Sequence, residues 1–384
     1  MISPLLKWPG GKTRELPLLA PLIDKQWENF VEPFVGGGAC FFSLAPQKAV
    51  INDVNEALVG LYQQVQKDSI PLRRKLENLA KFWDVELAEL VMATREKLVA
   101  AFQDNRGELK DKRVRENVVA PIKRTLRDFC KKQTQDWLPA SSLFERLRQS
   151  SLDKIRRVKG LEEKHSIQFT EEKLGEHFET AIRAGVYTCL RDDIDSKRKD
   201  VRLTRFFFLR EYCYGSMFRF NRAGKFNIPY GGIAYNKKAL TRKVAALFDK
   251  ERRSLLARAE ITNEDFRTFF NKRSSDWGPE TLVFLDPPYD SEFSEYDRYP
   301  FNGKAQAELA KIVSRLNASY VVVIKDTPLI RNLYEKEQQN VAEGLRPMVI
   351  ENYQKRYTYN VRGRNKRDVT HLLIHNMGSM VKSA

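Results

Sequence analysis

Apolar residues follow two rhythms along this chain, and the switches between them mark out three zones. From residue 1 to about 66, short β-prone runs end in Gly-rich or polar turns. Asn29-Phe30-Val31-Glu32-Pro33-Phe34 leads into Val35-Gly36-Gly37-Gly38, and Lys48-Ala49-Val50-Ile51 leads into Asn52-Asp53. From about 67 to 203 the spacing turns helical, with Leu72, Leu76 and Leu79, then Leu87, Leu90 and Val91, then Val118, Ile122 and Leu126. This zone is dense in Lys, Arg and Glu and reads as an inserted helical domain. From about 250 onward strands alternate with helices again: Leu282 to Leu285, Tyr320 to Ile324 and Val369 to Ile374, with a helix from Lys304 to Leu316. Between the second and third zones lies an aromatic and basic stretch, 205–232. Its Asn221-Arg222-Ala223-Gly224 is a turn signal that predicts a protruding hairpin over about 205–235. The expected architecture is an α/β domain with a mostly parallel sheet, built from 1–66 and 250–384 and interrupted by an insert at 67–249.

Charge adds a partner to this picture. The 384 residues carry a formal charge of +17, and an excess of that size suits a polyanion, because each phosphate neutralised by Lys or Arg releases condensed counterions. A solvated basic surface is the plainer alternative. No run approaches the ~20 apolar residues that cross a bilayer, and residues 1–10 lack the basic and apolar regions of a signal peptide. Cys40, Cys130, Cys189 and Cys213 form no CxxC pair, and His371 and His375 fall in a strand-like run. A cytoplasmic protein without a metal centre is therefore expected.

The candidate chemistry centres on Asp286-Pro287-Pro288-Tyr289, directly after the apolar run Glu280 to Leu285. Two prolines stop the strand and donate no N–H. An acidic side chain, a bare carbonyl and an aromatic ring are thus presented at the carboxyl end of a strand, where open α/β sheets build their sites. That trio suits the amino group of a flat base; a plain strand-ending turn with a surface Asp is the bland alternative. Upstream, Phe34-Val35-Gly36-Gly37-Gly38 precedes Ala39 to Leu44, an apolar segment able to open a helix. Its glycines permit close approach of a ligand, although Phe41 breaks the G-x-G-x-x-G pattern. Asp53 stands at the end of the second strand, where doubly wound folds hold ribose hydroxyls. Lys7-Trp8-Pro9-Gly10-Gly11-Lys12 adds a ring and two cations around a Gly pair, with Lys12 able to face a carboxylate.

The segments Leu6 to Lys12, Glu32 to Ala39, Asn52-Asp53, the aromatic stretch and Asp286 to Tyr289 occur in the order found in Dam-type (α-group, D12 class) DNA adenine-N6 methyltransferases. The chain resembles that family, with further agreement at Phe301-Asn302, at Asp326 to Tyr334 and at Val361 to Arg367. The resemblance implies a Rossmann-like methyltransferase fold and S-adenosyl-methionine as cofactor. It implies contacts from Trp8, Lys12, Asp53 and Asp286, with the Phe34, Gly36 and Gly38 turn beside the methionine portion. Asp265 matches the acidic position that contacts the cofactor's adenine. Two features depart from the family: Pro9 stands where a small residue such as Ala is usual, and the insert is longer and more basic than in compact members.

The implied reaction is methyl transfer to N6 of adenine in double-stranded DNA, with Asp286, Pro287, Pro288 and Tyr289 as the catalytic set. Methylation of cytosine N4 or of RNA adenine, and a catalytically silent DNA-binding relative, are the alternatives. A nicotinamide oxidoreductase is disfavoured by the Gly pattern. A cognate restriction endonuclease is a candidate partner. Phosphate holding is expected of insert cations such as Lys110, Lys112, Arg113, Lys123, Arg124, Arg156 and Arg157. Lys7, Tyr212, Tyr214, Arg219, Asn221 and Arg222 are expected to touch DNA, reading bases or filling the gap left by a flipped base.

Overall fold

In the computed structural model, which describes residues 2–216, 221, 225–289, 301–356 and 368–377, the short apolar runs become strands of one sheet. These are β1 (Asn29–Glu32), β2 (Ala49–Asn52), β3 (Ala259–Thr262), β4 (Thr281–Leu285), β5 (Ser319–Lys325), β6 (Val349–Arg356) and β7 (Asp368–His375). The order across the sheet is β3-β2-β1-β4-β5-β7-β6. The first five are parallel, and β7 runs antiparallel to both β5 and β6. β4 is buried throughout and β5 up to its final Lys325, as their near-continuous apolar sequences require of strands covered on both faces. A core of Phe269, Phe270, Trp277, Leu309, Val313 and Ile330 covers one such face.

Sequence order runs outward from β1 toward β3 on one side and onward from β4 on the other. β1 and β4 are neighbours, with Val31 opposite Val283. Their carboxyl ends therefore flank a topological switch point, the place where open α/β sheets bind ligands. The Gly-rich turn follows β1 and Asp286 follows β4, so the fold brings the two motifs to this crevice.

The chain divides into two compact units, Met1–Asp68 with Asp249–Ala384, and Ser69–Phe248. The first unit holds the whole sheet. Where the chain leaves and re-enters it, the Arg253 guanidinium is 2.7 Å from the Asp68 carboxylate, and the Gln66 amide donates to the Leu256 and Ala259 carbonyls at 2.8 Å. The second unit is helical, with long elements at Leu87–Asp104, Ala140–His165 and Glu171–Asp192.

The hairpin expected over about 205–235 is corrected in its first third. Residues 205–212 complete a helix, Lys199–Tyr212, with Phe206, Phe207, Phe208 and Leu209 all buried. Aromatic residues favour strands only where they meet a half-buried pleat; here the helix is apolar around much of its circumference because it is enclosed. Antiparallel pairing begins beyond it. Cys213 bridges Tyr230, the Gly231 N–H donates to the Tyr212 carbonyl, and the Tyr214 N–H donates to the Pro229 carbonyl. Asn221 and Lys225 close a turn, with the Lys225 N–H donating to Asn221 Oδ1 at 3.0 Å.

Candidate active site

Every residue of the site proper lies in the sheet-bearing unit. The turn after β1 is shaped by steric demand. Gly36 and Gly38 have φ of 49° and 76°, a left-handed region costly for residues with a Cβ. A Cβ on Gly37 would meet the Leu6 carbonyl oxygen at 2.7 Å, and one on Gly36 would meet the Trp8 ring at the same distance. Trp8 thus lies directly over the glycines, and the Leu5 N–H donates to the Gly37 carbonyl at 3.0 Å. The N-terminal loop is laid down on the turn.

Asp53 leaves β2 toward the same turn. One carboxylate oxygen accepts from the Gly36 N–H at 3.1 Å and the other from the Asn55 N–H at 2.9 Å. Beneath the turn, Glu32 is 2% exposed and accepts from the Phe41 N–H at 3.1 Å. Burial pushes its carboxyl well above the usual carboxylate range. Phe34 packs on Phe266 and Phe301. Asp265 is exposed and caps the helix Phe266–Arg273, accepting from the Arg267 N–H at 2.9 Å.

Lys12 is the central cation. Its side chain is 2% exposed, and Nζ pairs with Asp286 Oδ1 and donates to Tyr289 Oη at 2.7 Å and the Gly10 carbonyl at 3.0 Å. The expectation that Lys12 faces a carboxylate is met by Asp286 itself. Burial raises the Asp286 carboxyl above its ordinary value, and the Lys12 charge opposes that rise. Asp286 Oδ2 has no hydrogen-bond partner among the described residues. The Pro288 carbonyl accepts from the buried Gln306 amide at 2.7 Å, whereas the Pro287 carbonyl accepts no hydrogen bond from the described residues. The Tyr289 ring meets the His371 ring edge-on at 5.3 Å.

A layer that sequence reasoning did not foresee lies behind Lys12. Glu15 accepts from Tyr353 Oη at 2.5 Å and from Lys355 Nζ at 2.6 Å, and His371 Nδ1 is 3.8 Å from it. Glu15 sits one turn after Lys12, with its N–H donating to the Lys12 carbonyl at 2.8 Å. Its spacing from Lys12 was visible in the sequence; its partners on β6 and β7 were not.

The chain matches, over residues 8–133 and 143–348, the family described as D12 class N6 adenine-specific DNA methyltransferase. It belongs to that family. The type II methyltransferase M.MjaIII of Methanocaldococcus jannaschii is 25% identical over 338 residues, covering 82% of this chain and 81% of that one. The type II methyltransferase M.CviBI of Paramecium bursaria Chlorella virus NC1A is 22% identical over 380 residues, 98% of this chain and 100% of the other. The DNA adenine methylase of Escherichia coli (strain K12) is 25% identical over 169 residues, 42% of this chain and 57% of that protein. This methyltransferase is therefore an adenine-specific DNA enzyme that uses S-adenosyl-methionine. The crevice fits such a group: a side-chain-free turn under an indole, with carboxylates of Asp53 and Asp286 beside it. Among the described residues no helix is long and apolar enough to cross a membrane, and no cluster of His, Cys, Asp or Glu could hold a metal ion.

The residues expected at DNA fall into different environments. Tyr212 is corrected: it is 1% exposed, packed between Trp83 and Phe208, and its hydroxyl donates to the Lys238 carbonyl at 2.8 Å. It is a core residue of the helical unit and has no free ring to insert into a base stack. Tyr214 is 37% exposed, and Asn221 and Lys7 are exposed. Arg219 and Arg222 lie outside the described residues. Arg124 is exposed at 95% of its side chain, with Asp128 at 3.8 Å, and among the described residues Lys110 and Arg156, with exposed side chains, also make only long ion pairs.

Proposed function

We propose that the enzyme methylates an adenine swung out of double-stranded DNA, with Asp286, Pro287 and Tyr289 receiving the base. Inside the duplex N6 is out of reach of such a crevice. The amino nitrogen is a poor nucleophile because its lone pair is delocalised into the ring. Asp286 Oδ2 and the Pro287 carbonyl accept its two hydrogens, which localises the lone pair and stabilises the charge that develops on nitrogen. The division of labour among carbonyls has a physical support: Gln306 occupies Pro288, which leaves Pro287 as the acceptor. Tyr289 stacks on the base, its hydroxyl held by Lys12. When bound, S-adenosyl-methionine supplies an electrophilic methyl on a sulfonium that leaves as a neutral thioether. Trp8, Lys12, Asp53, Asp265 and the Phe34 to Gly38 turn hold that cofactor, and the rest of the effect is positioning.

The observation that carries this reading is the Asp286 carboxylate at the β1/β4 switch point, charged partner in place on one oxygen and the other oxygen open. The helical unit holds phosphates through its exposed cations, while Tyr214, Arg219, Asn221 and Arg222 read bases. The relatives named type II methyltransferases favour a partner restriction endonuclease, with the pair acting on cytoplasmic DNA. Asp286→Ala is expected to abolish methyl transfer in a protein of unchanged melting temperature. Single-molecule sequencing of DNA from cells expressing wild type or variant reports modified base and context together. Retained adenine marks in the variant, or marks on cytosine in the wild type, overturn the assignment.

A further inference from the structure

Two prolines deprive the catalytic turn of donors: neither Pro287 nor Pro288 has an N–H with which to tie the backbone down. Side chains from elsewhere grip it. Lys12 holds one side, through Asp286 Oδ1 and Tyr289 Oη. Gln306 holds the other, its amide donating to the Pro288 carbonyl at 2.7 Å.

Gln306 is an unexpected residue for its position. It lies on the buried stripe of the helix Gly303–Val313, together with Leu309, Ala310 and Val313, and is 0% exposed. Its Oε1 is buried and accepts no hydrogen bond from the described residues. A buried amide whose oxygen is left unpaired costs stability, and an apolar side chain of similar size would fill the space without that cost. Packing does not account for the residue; the carbonyl it grips does.

The start of the same helix is fixed to the cofactor side of the crevice. Phe301 sets its ring edge-on to Phe34 at 5.7 Å and tilted against Phe266 at 5.2 Å. Phe34 belongs to the Gly-rich turn, and Phe266 opens the helix that Asp265 caps. Asn302 joins the two ends of this link: its Oδ1 accepts from the Ala305 N–H at 3.1 Å and its carbonyl from the Gln306 N–H at 3.0 Å. One capped helical turn thus meets the cofactor turn through Phe301 and the catalytic turn through Gln306.

We infer that Gln306 is a positioning residue: it fixes the Pro287-Pro288 backbone relative to the cofactor turn and so aligns the adenine amino group with the methyl donor. The inference rests on the reading of Asp286 to Tyr289 as the adenine site. Gln306 acts through Pro288, so its contribution belongs to the rate of the assembled complex and not to the binding of the cofactor. It is kept at a cost in stability, and that sets it apart from a residue that merely fills the core.

Gln306→Met tests this, because methionine keeps the length and bulk of the side chain and removes the donor. Single-turnover methyl transfer is measured with the full chain at saturating S-adenosyl-methionine, on plasmid DNA from cells that lack adenine methylation. Cofactor affinity by calorimetry and melting temperature are taken in the same buffer. The rate is expected to fall by about 10–100-fold, since a misplacement of about 1 Å costs on the order of 10²-fold. Cofactor affinity is expected to match wild type. The melting temperature is expected to hold, because the variant loses an unpaired oxygen as it orphans the Pro288 carbonyl. A merely structural Gln306 gives the reverse pattern, a lower melting temperature with an undiminished rate below it. That pattern, a rate equal to wild type, or a cofactor affinity that falls as far as the rate overturns the inference. Should Gln306→Met not fold, Gln306→Leu goes through the same measurements, and failure of both to fold marks a structural role and overturns it too. The adenine reading fails separately, through an Asp286→Ala variant that still methylates. Full activity in Gln306→Met beside an inactive Asp286→Ala sinks the positioning role alone.

Discussion

Lys12→Met is the perturbation that tests the site most directly. Methionine keeps the length and apolar stem of a side chain that is 2% exposed, and removes its charge together with the donors to Asp286, Tyr289 and the Gly10 carbonyl. Breaking a buried pair from one side costs about 3–5 kcal/mol while the remaining charge persists. Protonation caps that loss, since each pKa unit is worth about 1.36 kcal/mol. Burial already raises the Asp286 carboxyl, and Lys12 opposes that rise more strongly than Lys355 does, so the variant's Asp286 must titrate higher still. At any given pH a larger share of it then holds a proton and cannot accept from N6, and methyl transfer falls by about 10²–10³, the worth of one preorganised electrostatic contact. The loss is partly recovered as pH rises and the carboxyl ionises. Stability moves the opposite way. A carboxyl with a raised native pKa binds more protons folded than unfolded, so its contribution falls as pH rises from the ordinary Asp value through the raised one. Single-turnover methyl transfer at saturating cofactor, from about pH 6 to 9.5, with melting temperatures in the same buffers, measures both trends. A variant whose rate profile runs parallel to wild type at a lower level would falsify the charge role of Lys12.

Three further outcomes are expected. Glu32→Gln keeps an acceptor for the Phe41 N–H and removes a carboxyl whose pKa burial raises, so it gains stability over wild type as pH rises; Glu32→Ala loses about 1–3 kcal/mol by orphaning that N–H. Thermal melts at acid and alkaline pH separate the two, and a Gln variant that weakens on the alkaline side would show the carboxylate to be the favoured form. Gly37→Ala drives a Cβ to 2.7 Å from the Leu6 carbonyl, lifting the N-terminal loop off the turn. Cofactor affinity should drop at least tenfold with little change in melting temperature, and wild-type affinity by calorimetry contradicts this. Neutralising Lys110, Arg124 and Arg156 to Gln should flatten the salt dependence of DNA binding equally for all sequences, by up to about 0.9 in slope for each phosphate that no longer meets a cation; an unchanged slope frees those residues of the phosphate role.

The parts of the molecule legible in the sequence are those where one local signal sufficed. β4 and β5 declared themselves by unbroken apolar runs, and the helix Gly303–Val313 was expected over Lys304 to Leu316. β3 and β6 escaped because they are the sheet's two edge strands, Ala-Glu-Ile-Thr and Val-Ile-Glu-Asn-Tyr-Gln-Lys-Arg, whose polar residues obey a partly solvated face. The helix Lys199–Tyr212 was misjudged because composition reports which residues are aromatic, not whether an enclosing partner covers them. In the site, Lys12, Asp53 and Asp286 were found through short motifs. Glu15, Gln306, Lys355 and His371 were not, because each gains its role only from a partner far along the chain.

The ion pair between Arg253 and Asp68 has an evolutionary reading. With the exit and re-entry of the chain clasped side by side, the catalytic unit experiences everything from Ser69 to Phe248 as a single closed loop. Doubling such a loop adds only about 0.6 kcal/mol of closure entropy. The helical insert can thus lengthen or shrink at little cost to the closure of the sheet-bearing unit. The break in the family match, at residues 134–142, falls inside this loop. Chains that share the sheet-bearing unit are in this way free to differ in what they carry between its two halves.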